Sequence, residues 1–299
     1  MPVLLFLIGY MSHHPHPLAQ PRKPQGQPTR GKTARNRLRR VDQFLLRYGR
    51  HLLRRSDDEY DGALFVDLGY GAEPFTTLES AGRFRRLQPD LPVLGVEIDP
   101  ERVTAALPYA DEKTFFRLGG FNLPLLRGVD GRLERVRLIR AFNVLRQYDE
   151  EQVAASYRQM ERGVLPGGLR GQGTSDPFGR IWVAHVLRLE QNWRPEALVF
   201  STNFRTGFDP VDFQTVLPKN LIHHMVAGEP IDDFFQTWKR AVQRTAAMRE
   251  WGLRQWFAAS ALQLAEAGYR INRRMGWLRR GYLIWQQGEG AGQRWLYSP

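Results

Sequence analysis

The sequence predicts an α/β fold: a doubly wound, mostly parallel sheet of about seven strands, with an antiparallel hairpin at one edge and a helical C-terminal extension. Three observations predict it. Short apolar runs alternate with stretches of helical period between residues 36 and 175. The first run, residues 64–68, ends in a glycine-rich turn. Beyond residue 175 the alternation stops, because two apolar runs follow with no room for a full helix between them.

In chain order, residues 36–55 read as a helix. Leu38, Val41, Leu45, Tyr48 and Leu52 recur at three- and four-residue steps, and arginine fills the other faces. Residues 64–68 form the first strand and residues 76–87 the helix after it. Residues 93–98 are a second strand, Pro100 opens a second helix, and residues 114–118 and 136–142 are strands three and four. A helix over 149–162 and a Leu165-Pro-Gly-Gly turn lead to a fifth strand near 169–174. Residues 181–189 and 197–203 form the edge hairpin. Residues 211–268 are helical, with aromatic stripes that read as core and Gly268 as a terminator. A further strand is possible over 282–285. The expected organisation is a disordered basic arm over 1–35, a core domain over 36–210, and a helical cap over 211–299 packed on the same domain.

Composition bounds the chemistry. With no cysteine among 299 residues, disulfides, thiolate metal sites and thiol catalysis are excluded, and a reducing cytoplasm is the expected compartment. The formal charge of +12 is uneven: residues 1–60 hold 12 basic and 4 acidic side chains, 12 − 4 = +8, leaving +4 for the rest. Such an arm suits a nucleic-acid backbone, or simply keeps the protein solvated. The opening run Pro2-Val-Leu-Leu-Phe-Leu-Ile falls short of the roughly 20 residues a membrane helix needs. No membrane association is expected, and Met11 is a candidate true start. His13, His14 and His16 belong to the polar arm, His223 and His224 to a helix or turn, and no metal site is expected.

The chemistry concentrates in Phe65-Val-Asp-Leu-Gly-Tyr-Gly. A ligand lying over the tips of a parallel sheet must approach the backbone closely, and glycine leaves that space. Asp67 puts a carboxylate at one tip, suited to a cationic amino group. Glu97 puts another at the next, suited to two ribose hydroxyls. Pro74 stands where a GxGxxG dinucleotide turn needs glycine or alanine, and no GxxxxGK[ST] occurs, which speaks against NAD, FAD and a P-loop.

Val66-Asp67-Leu68-Gly69-Tyr70-Gly71 resembles motif I of class I S-adenosylmethionine-dependent methyltransferases, a family with uncharacterised bacterial members similar to this chain. Gly95-Val96-Glu97-Ile98-Asp99 resembles their acidic second-strand motif, Gly119-Gly120-Phe121-Asn122-Leu123-Pro124 their GD-x-x-LP segment, and Leu165-Pro-Gly-Gly their K-P-G-G turn. The resemblance covers residues 60–175 and implies S-adenosylmethionine as cofactor. It implies that Asp67, Gly69, Tyr70 and Gly71 cradle the methionine end. Glu97 would hold the ribose, Ile98 would pack on the adenine, and Gly120, Phe121 and Asn122 would lie near the adenine amino group. Glu73 replaces the third motif glycine, and Gly120 stands where the family has an acid. At the tip of strand four, Asn143 would orient an acceptor and Arg140 would bind an anionic group on it, with Tyr148, Asp176 and His185 as further wall candidates. There is no Asn-Pro-Pro-Tyr motif. The acceptor is either RNA, which the basic arm and Arg270 to Arg280 favour, or a small molecule, which the near-neutral core favours. The two departures also admit a scaffold that binds a nucleotide or a partner without transferring methyl.

Overall fold

The computed structural model describes residues 24–27, 34–128, 131–148 and 150–287, so most of the expected arm, including its histidines and Met11, lies outside the described residues. The chain runs α1 (Arg39–Tyr48), α2 (Arg50–Arg54), β1 (Leu64–Leu68), α3 (Phe75–Phe84), β2 (Val93–Glu97), α4 (Pro100–Ala106), β3 (Thr114–Leu118) and β4 (Val136–Phe142). It continues through α5 (Glu150–Met160), β5 (Val164–Ser175), β6 (Ile181–Leu189), β7 (Trp193–Thr202), α6 (Lys219–Ile222), α7 (Pro230–Arg244), α8 (Leu253–Glu266), α9 (Met275–Leu278) and β8 (Tyr282–Gln286). One eight-stranded sheet has the order β3-β2-β1-β4-β5-β6-β7-β8. The first five are parallel, and β5 to β8 pair antiparallel. This is a Rossmann-like α/β fold, whose antiparallel half exceeds the expected hairpin because β8 returns from the helices to pair with β7.

The parallel half follows from composition. β1, β2 and β4 are buried along their whole length, as strands covered on both faces must be. The N-terminal helix breaks in two at Gly49. The Leu165-Pro-Gly-Gly segment lies inside β5, where the register slips: Val136 faces Val164, and Leu138 already faces Leu169. Gly268, with φ of 98°, closes off α8 as expected.

α1, α2 and α3 cover one face, where Phe44, Leu45, Phe65, Phe84 and Trp182 share a core. α5 covers β1, β2 and β4 on the other face. Beside it α7 and α8 cover β6 to β8, with Phe234 stacked on Trp285 at 4.1 Å and Trp238 fully buried. The aromatic stripes of the C-terminal region are therefore core, each such ring contributing about 1.5–3 kcal/mol by burial.

His185, on β6, is buried rather than set in a crevice wall. Burial, with the Arg170 charge adding to it, pushes its imidazole down to about 3. The unfolded chain therefore binds a proton between about pH 6.5 and 3 that the folded chain does not, and stability falls as pH drops through that window. Urea unfolding at pH 5 should show stability lower than at pH 8 by about 2 kcal/mol from this residue alone. His185→Gln should shrink the difference by that amount, and an unchanged difference would disprove the assignment.

Candidate cofactor crevice

The strand order reverses at β1, whose neighbours are β2 and β4, so the tips of these strands open a crevice. Gly69 and Gly71 leave β1 at φ of 69° and 93°, left-handed values that favour glycine. The Gly71 N–H donates to Glu97 Oε2 at 2.9 Å, and the Ile98 N–H donates to Glu97 Oε1 at 2.9 Å. Glu97 is buried, with Arg102 3.9 Å away. Each carboxylate oxygen keeps a lone pair beyond these bonds, so Glu97 ties the glycine turn to the β2 tip and can still accept hydroxyl donors.

Asp67 is not free for a cationic amino group. Thr76 and Thr77 donate their hydroxyls to its Oδ2, both at 2.9 Å, and Arg140 Nη2 lies 2.7 Å from the same oxygen. Arg140 is not at the acceptor edge. Register places it directly beside Asp67 on the adjacent strand, and its fully buried guanidinium also bonds Asp42 and Ser80 beneath α1 and α3. Arg83 completes the cluster, 2.6 Å from Asp42. Burial works against the Arg140 charge, but Asp67 and Asp42 outweigh it and hold its pKa above the ordinary value. The pair thus braces the β1 tip instead of meeting a ligand.

Tyr70 likewise turns into packing. Its ring meets Phe116 edge-on at 5.4 Å, its hydroxyl donates to the Arg102 carbonyl at 3.3 Å, and burial pushes its phenol pKa up. Only its backbone belongs to the glycine turn.

On the β2 and β3 side the crevice becomes a slot lined by Val96, Ile98, Gly120, Phe121, Val144 and Tyr148. Tyr148 meets Phe121 edge-on at 5.1 Å. Gln25, Gly26 and Gln27 of the same chain lie in this slot, although the sequence places them in the basic arm. The Phe121 N–H donates to the Gln25 carbonyl at 3.0 Å, and the Gln25 N–H donates to Asn122 Oδ1 at 3.1 Å. The Gln27 N–H donates to the Tyr148 hydroxyl. A Cβ on Gly120 would stand 2.0 Å from the Gln25 carbonyl oxygen, so the absence of a side chain at this position is what admits the segment. Gly120 was the available sequence signal, but nothing in it named the occupant.

At the β4 tip, Asn143 has φ of 62°, a left-handed value that asparagine tolerates better than most residues. Its Oδ1 accepts from the Ser175 N–H at 3.0 Å, and its Nδ2 donates to Ser175 Oγ at 3.3 Å. Arg37 holds the same serine from the other side, donating to its Oγ and carbonyl, both at 3.1 Å. Asp176 closes the β5–β6 turn by accepting from the Arg180 and Ile181 N–H groups. The structure therefore brings together Gly69, Gly71, Glu97, Ile98, Gly120, Phe121 and Asn122, with Tyr148 across the slot and Asn143 on the neighbouring strand tip. Among the described residues no group of three or more His, Cys, Asp or Glu side chains is placed to hold a metal, and no helix is long and apolar enough to cross a membrane.

No family model matches the chain, and no curated protein matches it. Among solved structures it is similar to a protein assigned as a sarcosine dimethylglycine methyltransferase from Galdieria sulphuraria, with 16% identity over 45% of this chain and 46% of that one and a TM-score of 0.33. It is similar to the magnesium protoporphyrin IX methyltransferase from Synechocystis PCC 6803 with bound SAH, with 17% identity over 46% and 54% and a TM-score of 0.32. It is also similar to an S-adenosylmethionine-dependent methyltransferase from Mesorhizobium loti, with 22% identity over 42% and 52% and a TM-score of 0.27. The match thus spans about half the length of each of these structures.

Proposed function

We propose that this chain is a cytoplasmic S-adenosylmethionine-dependent methyltransferase. The observation that carries the reading is the peptide of Gln25 in the slot. Its carbonyl accepts from the Phe121 N–H, and its N–H is accepted by Asn122 Oδ1. A donor beside an acceptor is also what the amino edge of adenine presents, so the slot is built to read a nucleobase edge. The apolar walls Ile98, Phe121 and Val144 suit the flat ring, and Glu97 stands where the two ribose hydroxyls would be held.

When bound, the cofactor supplies an electrophilic methyl on a sulfonium. The chain itself needs no acid–base pair, because positioning and exclusion of water dominate such a transfer. The glycine turn lets the backbone come close, Glu97 fixes the sugar, and Asn143 holds the acceptor at the β4 tip. A nucleic-acid acceptor is favoured over a small molecule, since a cavity of about 710 Å³ next to this edge is lined with arginine. A second reading, a nucleotide-binding scaffold without transfer, is favoured by residues 24–27 in the slot and by the occupied carboxylate of Asp67.

Titration calorimetry separates the two. S-adenosylhomocysteine and S-adenosylmethionine should bind and NAD should not. Glu97→Gln should weaken the sulfur nucleotides by roughly 10- to 100-fold, the range expected for lost hydrogen bonds to a charged group. If neither sulfur nucleotide binds the full chain or a chain lacking residues 1–27, the methyltransferase reading fails. Binding without methyl transfer to any RNA or small-molecule pool would favour the scaffold.

A further inference from the structure

The β5–β6 turn, the exit of β7 and the ends of α8 and α9 meet α1 around a cavity of about 710 Å³. Eight arginines line it, among them Arg39 and Arg47 from α1, Arg180 from the turn, Arg205 after β7, Arg254 on α8 and Arg280 after α9. No lysine and, among the described residues, no carboxylate lines it. None of these arginines takes part in an ion pair with a described residue.

Neutral groups aim them instead. Arg40 donates to Ser201 Oγ at 2.9 Å and to the Arg280 carbonyl at 2.8 Å. Arg254 donates to the Arg279 carbonyl at 2.8 Å, and Arg280 to the Gly276 carbonyl at 2.7 Å. Cations gathered with no carboxylate among the described lining residues repel one another, and burial together with the Arg254 charge lowers the Arg40 pKa although Tyr282 opposes it. Such a cluster is relieved by an anionic ligand.

Two features narrow that ligand. Arginine forks match phosphate oxygens in pairs, which point charges on lysine do not. Phe178, 64% exposed, stands on the rim with the Arg180 guanidinium 4.8 Å from its ring centre, which provides a face on which a base can stack. We infer that this cavity binds the phosphodiester backbone of single-stranded RNA, with Phe178 stacking on one of its bases.

The site adjoins the proposed acceptor edge, because Ser175, the last residue of β5, bonds Asn143 and leads directly into the β5–β6 turn that carries Phe178 and Arg180. Only this consequence, that RNA bound here presents a nucleotide to Asn143, rests on the methyltransferase reading. Binding itself does not, so its failure and the failure of cofactor binding are read separately.

The test is fluorescence anisotropy of a labelled 16-nucleotide single-stranded RNA on the full chain without cofactor, at several salt concentrations. The binding constant should fall steeply with salt, and the logarithmic slope should lose about 0.7 for each phosphate contact removed. Arg205→Gln with Arg254→Gln and Arg280→Gln should weaken binding at least tenfold and flatten the slope by about two. Phe178→Ala should weaken RNA several-fold and leave inorganic polyphosphate unchanged. The control Arg86→Gln, an exposed arginine outside the cavity, should change nothing. Matching thermal melts would show that the variants fold. Unchanged RNA binding in the triple variant overturns the inference, as does binding that disappears only on removal of residues 1–33. Preference for phosphatidylserine vesicles over RNA, or polyphosphate binding as tightly as RNA with no effect of Phe178→Ala, overturns it as well.

Discussion

Arg140→Met should destabilise the fold by about 3–5 kcal/mol, the cost of leaving buried carboxylates without their cation. Two acids depend on this one guanidinium. Asp67 would keep only its threonine hydroxyls, and Asp42 only Ser80 and the largely buried Arg83. Methionine fills similar volume, so the loss measures charge and not a cavity. The matching variant is Asp42→Asn with Arg140→Met, which removes one of the two stranded charges and should recover part of the loss. Urea unfolding at pH 7 measures both. A cost below about 1 kcal/mol for the single variant would show that the cluster is not a buried ion pair of the kind described. Because the cluster braces the β1 tip, S-adenosylhomocysteine affinity should fall along with stability, although Arg140 touches no part of the slot.

The same cluster marks the boundary of what could be read from residues. The strands were legible because each is written as a short, largely apolar run: residues 114–118 and 136–142 carry the expected bounds although Arg117, Arg137 and Arg140 interrupt them, and β1 ends at the glycine turn. Glu97 was legible because a carboxylate ending an apolar strand has few other uses, and it does meet the glycine turn. Arg140 was misplaced because it was read along one strand, whereas its partner lies across the sheet in register and a second lies on α1. The signal was present in Asp42. It stands four residues after Leu38 and three before Leu45, on the apolar face of its helix, and a buried acid there requires a cation from a buried strand. β8 was legible only as an isolated possibility, since pairing with β7 across a long helical excursion is a property of tertiary structure and leaves no local period. Residues 24–27 carry no pattern at all, and their place follows from what Gly120 leaves open.

That opening leads to the second large effect. A nucleobase in the slot needs the Phe121 N–H and Asn122 Oδ1, and Gln25 already uses both. Segment and cofactor therefore compete, and the apparent affinity is the intrinsic one scaled by the fraction of chains with the slot open. A closed state favoured by about 1.4 kcal/mol, the net of a few hydrogen bonds against the ordering of a short segment, weakens apparent binding about tenfold. Deleting residues 1–27 should therefore tighten S-adenosylhomocysteine binding on the order of tenfold by calorimetry. Gly120→Asp should act in the same direction by a different route, because its Cβ would meet the Gln25 carbonyl oxygen at 2.0 Å and expel the segment. The two variants together should gain no more than either alone, since each removes the same competitor. Weaker binding after deletion would mean that residues 24–27 form part of the cofactor's own cover, and unchanged binding in both variants would mean that the nucleobase is read elsewhere.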